Sequence, residues 1–406
     1  MSARQPTAAA SGDDASELLS GELTVDPEPA VDLDDMFTEA AIPDGEPSLF
    51  AAIRYNNLSM IGETLRSGFD IDTKFTEGEY QLQAITLAHR LRMTHYAALH
   101  LAVLHAKHKI IDDLLAHGAD INIRDGKQRT PVHLAVVASR LSVIEALATK
   151  CNTGAEINAR SSSGRSPLLE AVISDKLDIA RALVDLGANI DIQDTQGTSV
   201  LQHTCFKRQP DLDFIQLLLS KKCDVNIRGF SGCTPLMFVS EFQRLDVAKL
   251  LIAHGANINQ KDANGMTPVH FCTYHKHRRS DYLLYLIQHG ADLIIRDKKD
   301  RSLLDMAMTN SSLQTILTLL FCDVSREASV VMDNTYMQSV LERLPEYRDR
   351  LVKELYTPRT LQRLCREKIR TCLSREGPAR VLDLNLPRTL QDFILCRDIR
   401  PEDVAV

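Results

Sequence analysis

The chain has 406 residues, 44% of them hydrophobic, 25% charged and 5% aromatic, with no tryptophan. That is a globular balance, and it excludes a wholly disordered or fibrous protein. The net charge of −7 is unevenly spread: residues 1–48 hold twelve acids against the single base Arg4, a net −11, which leaves +4 for residues 49–406. The remainder is mildly basic, without the strong footprint of a nucleic-acid binder.

Residues 1–46 are rich in Asp, Glu, Ala, Pro, Ser and Gly. Such a composition does not bury enough apolar surface to offset ordering entropy, so an acidic disordered tail is expected. Within it, VDLDDMFTEAA (31–41) mixes acids with Leu33, Met36 and Phe37. It reads as a solvated stretch able to form a short helix on a partner. No basic-then-apolar leader precedes it, and no run approaches 18 apolar residues, so neither export nor a membrane partner is expected. The nine cysteines (Cys151, Cys205, Cys223, Cys233, Cys272, Cys322, Cys365, Cys372 and Cys396) form no C-x-x-C pair. An odd, scattered set suggests reduced thiols in the cytosol or the nucleus.

Self-similarity begins after the tail. TPVHLA (130–135) recurs as SPLLEA (166–171), TPLMFV (234–239) and TPVHFC (267–272), with weaker copies AALHLA (97–102), SVLQHT (199–204) and SLLDMA (302–307). The starts at 97, 130, 166, 199, 234, 267 and 302 are 33 to 36 residues apart. HGAD (117–120), LGAN (186–189), HGAN (254–257) and HGAD (289–292) each close an apolar run. The delay from Ala97 to Gly118, Ser166 to Gly187 and Thr234 to Gly255 is 21 residues each time. The period and the T-P-L-H-x-A motif resemble the ankyrin repeat.

The same residues can be read physically. Thr or Ser caps a helix and Pro follows where its missing N–H costs nothing. A turn is expected near Arg140, Lys176 or Arg244. A second helix then carries pairs such as Leu114–Leu115, Leu250–Leu251 and Leu283–Leu284, and Gly118, Gly187, Gly255 and Gly290 stop it in the left-handed conformation. A β-turn finger follows, as in INIRDGKQRT (121–130). Residues 48–72 read as a degenerate first repeat, separated from the second by an insertion near 75–93 that is an extended finger or an added helix. The array therefore spans 47–323 with about eight repeats, and stacking is obligatory because neither helix buries its apolar face alone. The predicted fold class is all-α: an ankyrin solenoid with a small helical module after it.

Residues 324–356 break the period and read as a helical linker. In 357–397, Leu361, Cys365 and Ile369 lie four apart on one helix face, and a second short helix carries Leu390, Phe393 and Ile394. Two short helices make no core of their own. This segment resembles a SOCS box, whose first half reads a small or Pro residue, Leu, three residues, Cys, three residues and an aliphatic residue. Thr360, Leu361, Cys365 and Ile369 fit, with Leu364 beside them. The resemblance implies that this face enters elongin C of the elongin B/C heterodimer. Its second half, matched by Leu384, Leu386, Pro387, Leu390, Phe393 and Ile394, selects a cullin, usually cullin five, with its RING subunit. Asn385 stands where the family has its first Pro. The order of parts is that of the ankyrin-repeat and SOCS-box family, which implies a non-catalytic substrate receptor of a ubiquitin ligase. Target ubiquitination and proteasomal degradation would follow. The competing reading is a plain ankyrin scaffold with a capping tail.

Arg124, Arg160, Arg228 and Arg296 recur on the fingers, with Gln193 and Gln260 between them, and are the candidate contacts to an unidentified, acidic protein target. The alternative is an ordinary polar finger position. His100, His133 and His270 are expected to bond finger backbone. Cys272, His275 and His277 lack a fourth ligand, so no metal site is expected, and no cofactor or catalytic motif is found.

Overall fold

The computed structural model describes residues 48–54, 56–74, 95–105, 107–149, 156–274 and 280–310, with Thr315 and Leu319. Fifteen α-helices lie among the described residues. They come as pairs: α1 (Ser48–Arg54) with α2 (Leu58–Arg66), α3 (Ala98–Leu104) with α4 (His108–Ala116), α5 (Pro131–Val137) with α6 (Leu141–Thr149), and α7 (Pro167–Ile173) with α8 (Leu177–Asp185). Then follow α9 (Val200–Phe206) with α10 (Leu212–Ser220), α11 (Pro235–Glu241) with α12 (Leu245–Ala253), and α13 (Pro268–Tyr274) with α14 (Ser280–Gln288). An eighth first helix, α15 (Leu303–Asn310), ends the series of described helices.

The first helices are short. Seven residues are below the length at which a helix survives alone, so packing must hold them. All seven residues of α3 are buried, and six of seven in α5. Each first helix packs on the next, from α1 through α3, α5, α7, α9, α11 and α13 to α15. The stack passes directly from α1 to α3 although the sequence between them contains the insertion; residues 75–94 themselves lie outside the described set. The second helices are amphipathic. In α4, Ile110, Ile111 and Leu114 face inward, and α8 buries Ile179, Ala180, Leu183 and Val184.

Two backbone stops recur. After the second helix, Gly118, Gly187, Gly255 and Gly290 take φ of +91°, +84°, +89° and +93°, as their position demands. In the repeat that begins at Ser199, Lys222 fills that role at φ +60°. Between the helices of a pair, Ser139, Asp175 and Gln243 are left-handed at φ +59°, +58° and +51°. The turn residue that follows is used for cross-repeat bonding. Lys176 Nζ donates to the carbonyls of Val136, at 3.0 Å, and Val137, at the end of the preceding first helix. Arg244 does the same to Cys205, at 3.2 Å, and Lys207.

Behind each second helix runs a ladder of Asn and Asp side chains. Asn122, Asn158, Asp191, Asn226 and Asn259 accept from the backbone N–H of Glu156, Asn189, Asp224, Asn257 and Asp292, one repeat further on, at 2.7–3.0 Å. Asp72 begins the series by accepting from the N–H of Asp120. Every rung ties one repeat to the backbone of the next, most of them at exposed positions.

Candidate target-binding surface and docking segment

The fingers are built from their turns. Asp125 Oδ1 accepts the N–H of Lys127 at 2.9 Å and of Arg129 at 2.8 Å. Asp194, Asp262 and Asp297 repeat this pattern with the residues two and four further on. These carboxylates are buried, at 1%, 8%, 7% and 7% exposure. Burial pushes the Asp297 carboxyl up, but the N–H and guanidinium of Arg301 outweigh it and hold the group below its usual value. At Asp194 burial is likewise overcome, by His203 and backbone N–H groups. Asp262 has Met266 where the others have a base or a nearby histidine, and burial leaves its carboxyl above the usual value.

Successive finger tips are tied by single backbone bonds. The N–H of Ser162, Thr195, Ala263 and Lys298 donates to Lys127, Ser163, Ser231 and Asn264 in the preceding finger, at 2.8–3.0 Å. The motif histidines brace the fingers from below. His133 Nδ1 accepts the Thr130 N–H at 3.2 Å, while Nε2–H donates to the Arg165 carbonyl at 3.0 Å. His100 makes the same pair with Ala97 and Arg129; His270 Nδ1 accepts from Thr267, but its Nε2 makes no such bond to a finger. Burial pushes all three imidazoles down to about 4. They are neutral structural groups, as their place in the motif led us to expect.

The finger cations have their own geometry. Arg124 donates to the Arg160 carbonyl at 3.0 Å and pairs with Glu156 at 3.2 Å. Arg160 donates to the carbonyls of Gly164 and Gln193 at 3.1 and 2.7 Å. Gln193 donates onward to Arg228 at 2.8 Å. Arg296 donates to the Asp300 carbonyl at 2.7 Å. Each of these side chains therefore spans its own turn, the next finger, or both. Arg160, Arg228 and Arg296 still present exposed surface. Arg124, Glu156, Ile157, Asn158, Ala159 and Arg160 line an open cleft of about 560 Å³.

Among the described residues no cluster of His, Cys, Asp and Glu has a metal-holding arrangement. Cys272 is buried, and its candidate co-ligands His275 and His277 lie outside the described residues. Burial pushes the thiols of Cys223, Cys233 and Cys272 up to about 12, so none is a thiolate at neutral pH. No described helix is long and apolar enough to cross a membrane. Thr360, Leu361, Leu364, Cys365 and Ile369, and the downstream Leu384, Leu386, Pro387, Leu390, Phe393 and Ile394, all lie outside the described residues.

Family comparison covers both parts. The ankyrin-repeat family model (three copies) matches residues 99–194 and 201–297, and the SOCS-box family model matches 357–395. The chain is an ankyrin-repeat and SOCS-box protein. Neurogenic locus notch homolog protein 1 from Cricetulus griseus, Mus musculus and Homo sapiens is 32% identical over 136 residues, which is 33% of this chain. The chain spans only 5% of the length of those relatives. The solved ankyrin repeat domain of Bcl-3 is 24% identical, with a TM-score of 0.49, and covers 61% of this chain and all of that one.

The ankyrin register corrects one assignment. Gln260 is not the counterpart of Arg124. Asp262 makes the turn contacts that Asp125 makes, and the residue before it is Lys261. The finger series of this ankyrin array is therefore Arg124, Arg160, Gln193, Arg228, Lys261 and Arg296, with five cations instead of four. Counting back six residues from each motif Thr or Ser would have found Lys261.

Proposed function

We propose that this protein is a non-catalytic substrate-recognition subunit of an elongin B/C–cullin–RING ubiquitin ligase, working in the cytoplasm or the nucleus. The observation that carries this reading is the coexistence, on one chain, of a stacked ankyrin array and a SOCS-box match at residues 357–395. Proximity is the mechanism. The array holds a target, and the SOCS box fixes it near a charged ubiquitin carrier, raising the effective concentration at the target's lysines.

Leu361, Cys365 and Ile369, with Thr360 and Leu364, are the proposed elongin C face. Cys365 acts there as a small buried hydrophobe. Leu384, Leu386, Pro387, Leu390, Phe393 and Ile394 are the proposed cullin contacts, with cullin five as the expected scaffold. Arg124, Arg160, Arg228 and Arg296, now joined by Lys261, are the proposed target contacts. Co-purification tests the docking half. The full chain should bring down elongin B/C and a cullin, and Leu361→Asp with Cys365→Asp should abolish that capture. An unchanged complex from the double variant would remove the ligase reading and leave a simple ankyrin scaffold.

A further inference from the structure

Half of the 12 phenylalanines fall within residues 206–271. Phe214 belongs to the core. The rest are partly or fully exposed: Phe206, Phe238, Phe242 and Phe271 on successive first helices or their ends, and Phe230 on the finger before α11. Phe206 meets Phe238 edge to face at 6.0 Å and Phe242 at 5.5 Å. Arg244 lies over the Phe242 ring at 5.1 Å, and its own guanidinium is anchored on the carbonyls of Cys205 and Lys207. The three rings thus come from two adjacent repeats and are held in one arrangement. Phe271 repeats the place of Phe238 one repeat further on. At the corresponding sites the repeats that begin at Thr130 and Ser166 carry Leu134, Val137 and Ala138, or Glu170, Ile173 and Ser174, with no aromatic among them.

A half-exposed, pre-set aromatic cluster is costly in water and is the usual centre of a protein contact, because rigid rings bury much area while losing little entropy. Its electrostatic surroundings specify the occupant. On the fingers flanking it, the acids Asp194 and Asp262 are buried against backbone N–H groups. The exposed charges on those fingers are Arg228 and Lys261, and beside the rings stand Arg208, Arg244 and one acid, Glu241, with Lys207 paired to Asp175. We infer that the Phe206–Phe238–Phe242 cluster is the anchor site for the target, and that it takes a peptide segment with one large apolar side chain flanked by carboxylates. This rests on the proposal that the array is the target-binding half. It adds the place and the chemistry of the target.

The test uses the full chain and displayed random 12-residue peptides. Enriched peptides should carry an aromatic, Leu or Met residue next to Asp or Glu. Their binding should fall about tenfold or more in Phe206→Ala with Phe242→Ala, and less in Arg228→Glu. Thermal melting checks that the double variant folds, and Phe242→Ser, whose parent ring is 36% exposed, serves if it does not. The idea is overturned by peptides without the apolar–acidic pattern, by no enrichment, or by equal binding to the variants. Self-association of the chain that Phe242→Ser abolishes would assign the cluster to a second copy and overturn it too. Elongin B/C capture should be unaffected in these variants. Loss of capture only in the Leu361→Asp, Cys365→Asp variant leaves the two proposals separable.

Discussion

The finger that begins at Arg124 and the finger that begins at Arg228 have the same length, and the helix before each one braces it, through His100 and Gln202, but only the first carries a turn acid. In the first, Asp125 sits inside the turn, 1% exposed, accepts two N–H groups and pairs with Arg129 at 2.8 Å. In the second, the turn acid is replaced by Gly229, and Gln202 reaches in from α9. Its Nε2 donates to the carbonyls of Cys233 at 2.8 Å and Ile227 at 3.2 Å, while Oε1 accepts the Ser199 N–H at 2.9 Å. A Cβ at position 229 would lie 2.5–2.9 Å from the Gln202 side chain. The fold demands that the finger's polar backbone be satisfied. It does not specify whether a turn acid shares that work with the neighbouring helix.

The most damaging way to break this comparison is to remove the turn acid where it is present. Asp125→Ala should destabilise the array by about 3 kcal/mol, because it strands two partly buried N–H groups and a partly buried guanidinium. Gln202→Ala, which strands neutral groups only, should cost about 2 kcal/mol. Denaturant titration measures both, and a larger loss at Gln202 would reverse that ranking.

Acid offers a second effect, somewhat smaller for each residue. His100, His133 and His270 titrate near 4 in the folded chain, below the ordinary 6.5. The unfolded chain therefore binds protons first as pH falls, so stability is complete above about 6.5 and is lost on going down toward about 4. At pH 5 each buried imidazole should cost on the order of 2 kcal/mol. His133→Gln copies the neutral brace that Gln202 already supplies. Its melting temperature should fall less between pH 7 and pH 5 than that of the parent, and parallel falls would refute the assignment.

The smallest effect is the sharpest. Gly229→Asp restores the turn acid of the other fingers, yet it should destabilise by about 1 kcal/mol because it displaces Gln202 from its bonds. In a Gln202→Ala background the same substitution should be neutral or favourable. A thermodynamic cycle of the four chains would show the coupling, and additivity would mean that the two braces are independent.

Much of the array was legible in the sequence because its signals are local. A Pro after Thr, a His three residues on and a Gly 21 residues after the motif start each answer to one backbone requirement. Lys222, Ser139, Asp175 and Gln243 were missed because any side chain can be forced left-handed when packing overdetermines it. The Asn and Asp ladder was missed because its partners lie a whole repeat away. The Phe206–Phe238–Phe242 cluster also depends on repeats meeting in space, although the crowding of Phe between 206 and 271 was visible. For the docking segment, the match at 357–395 agrees with the SOCS-box resemblance of the segment as a whole.

The ladder from Asp72 to Asn259 has a consequence for how such a chain can be rewritten. Each rung reads only an N–H that every non-proline residue possesses, so it places almost no condition on the identity of its neighbour. A unit of one period can be copied, deleted or exchanged, and the joint will still close. Contacts such as the phenylalanine cluster, which need particular side chains from two consecutive units, are the ones that a shuffled array would have to keep together.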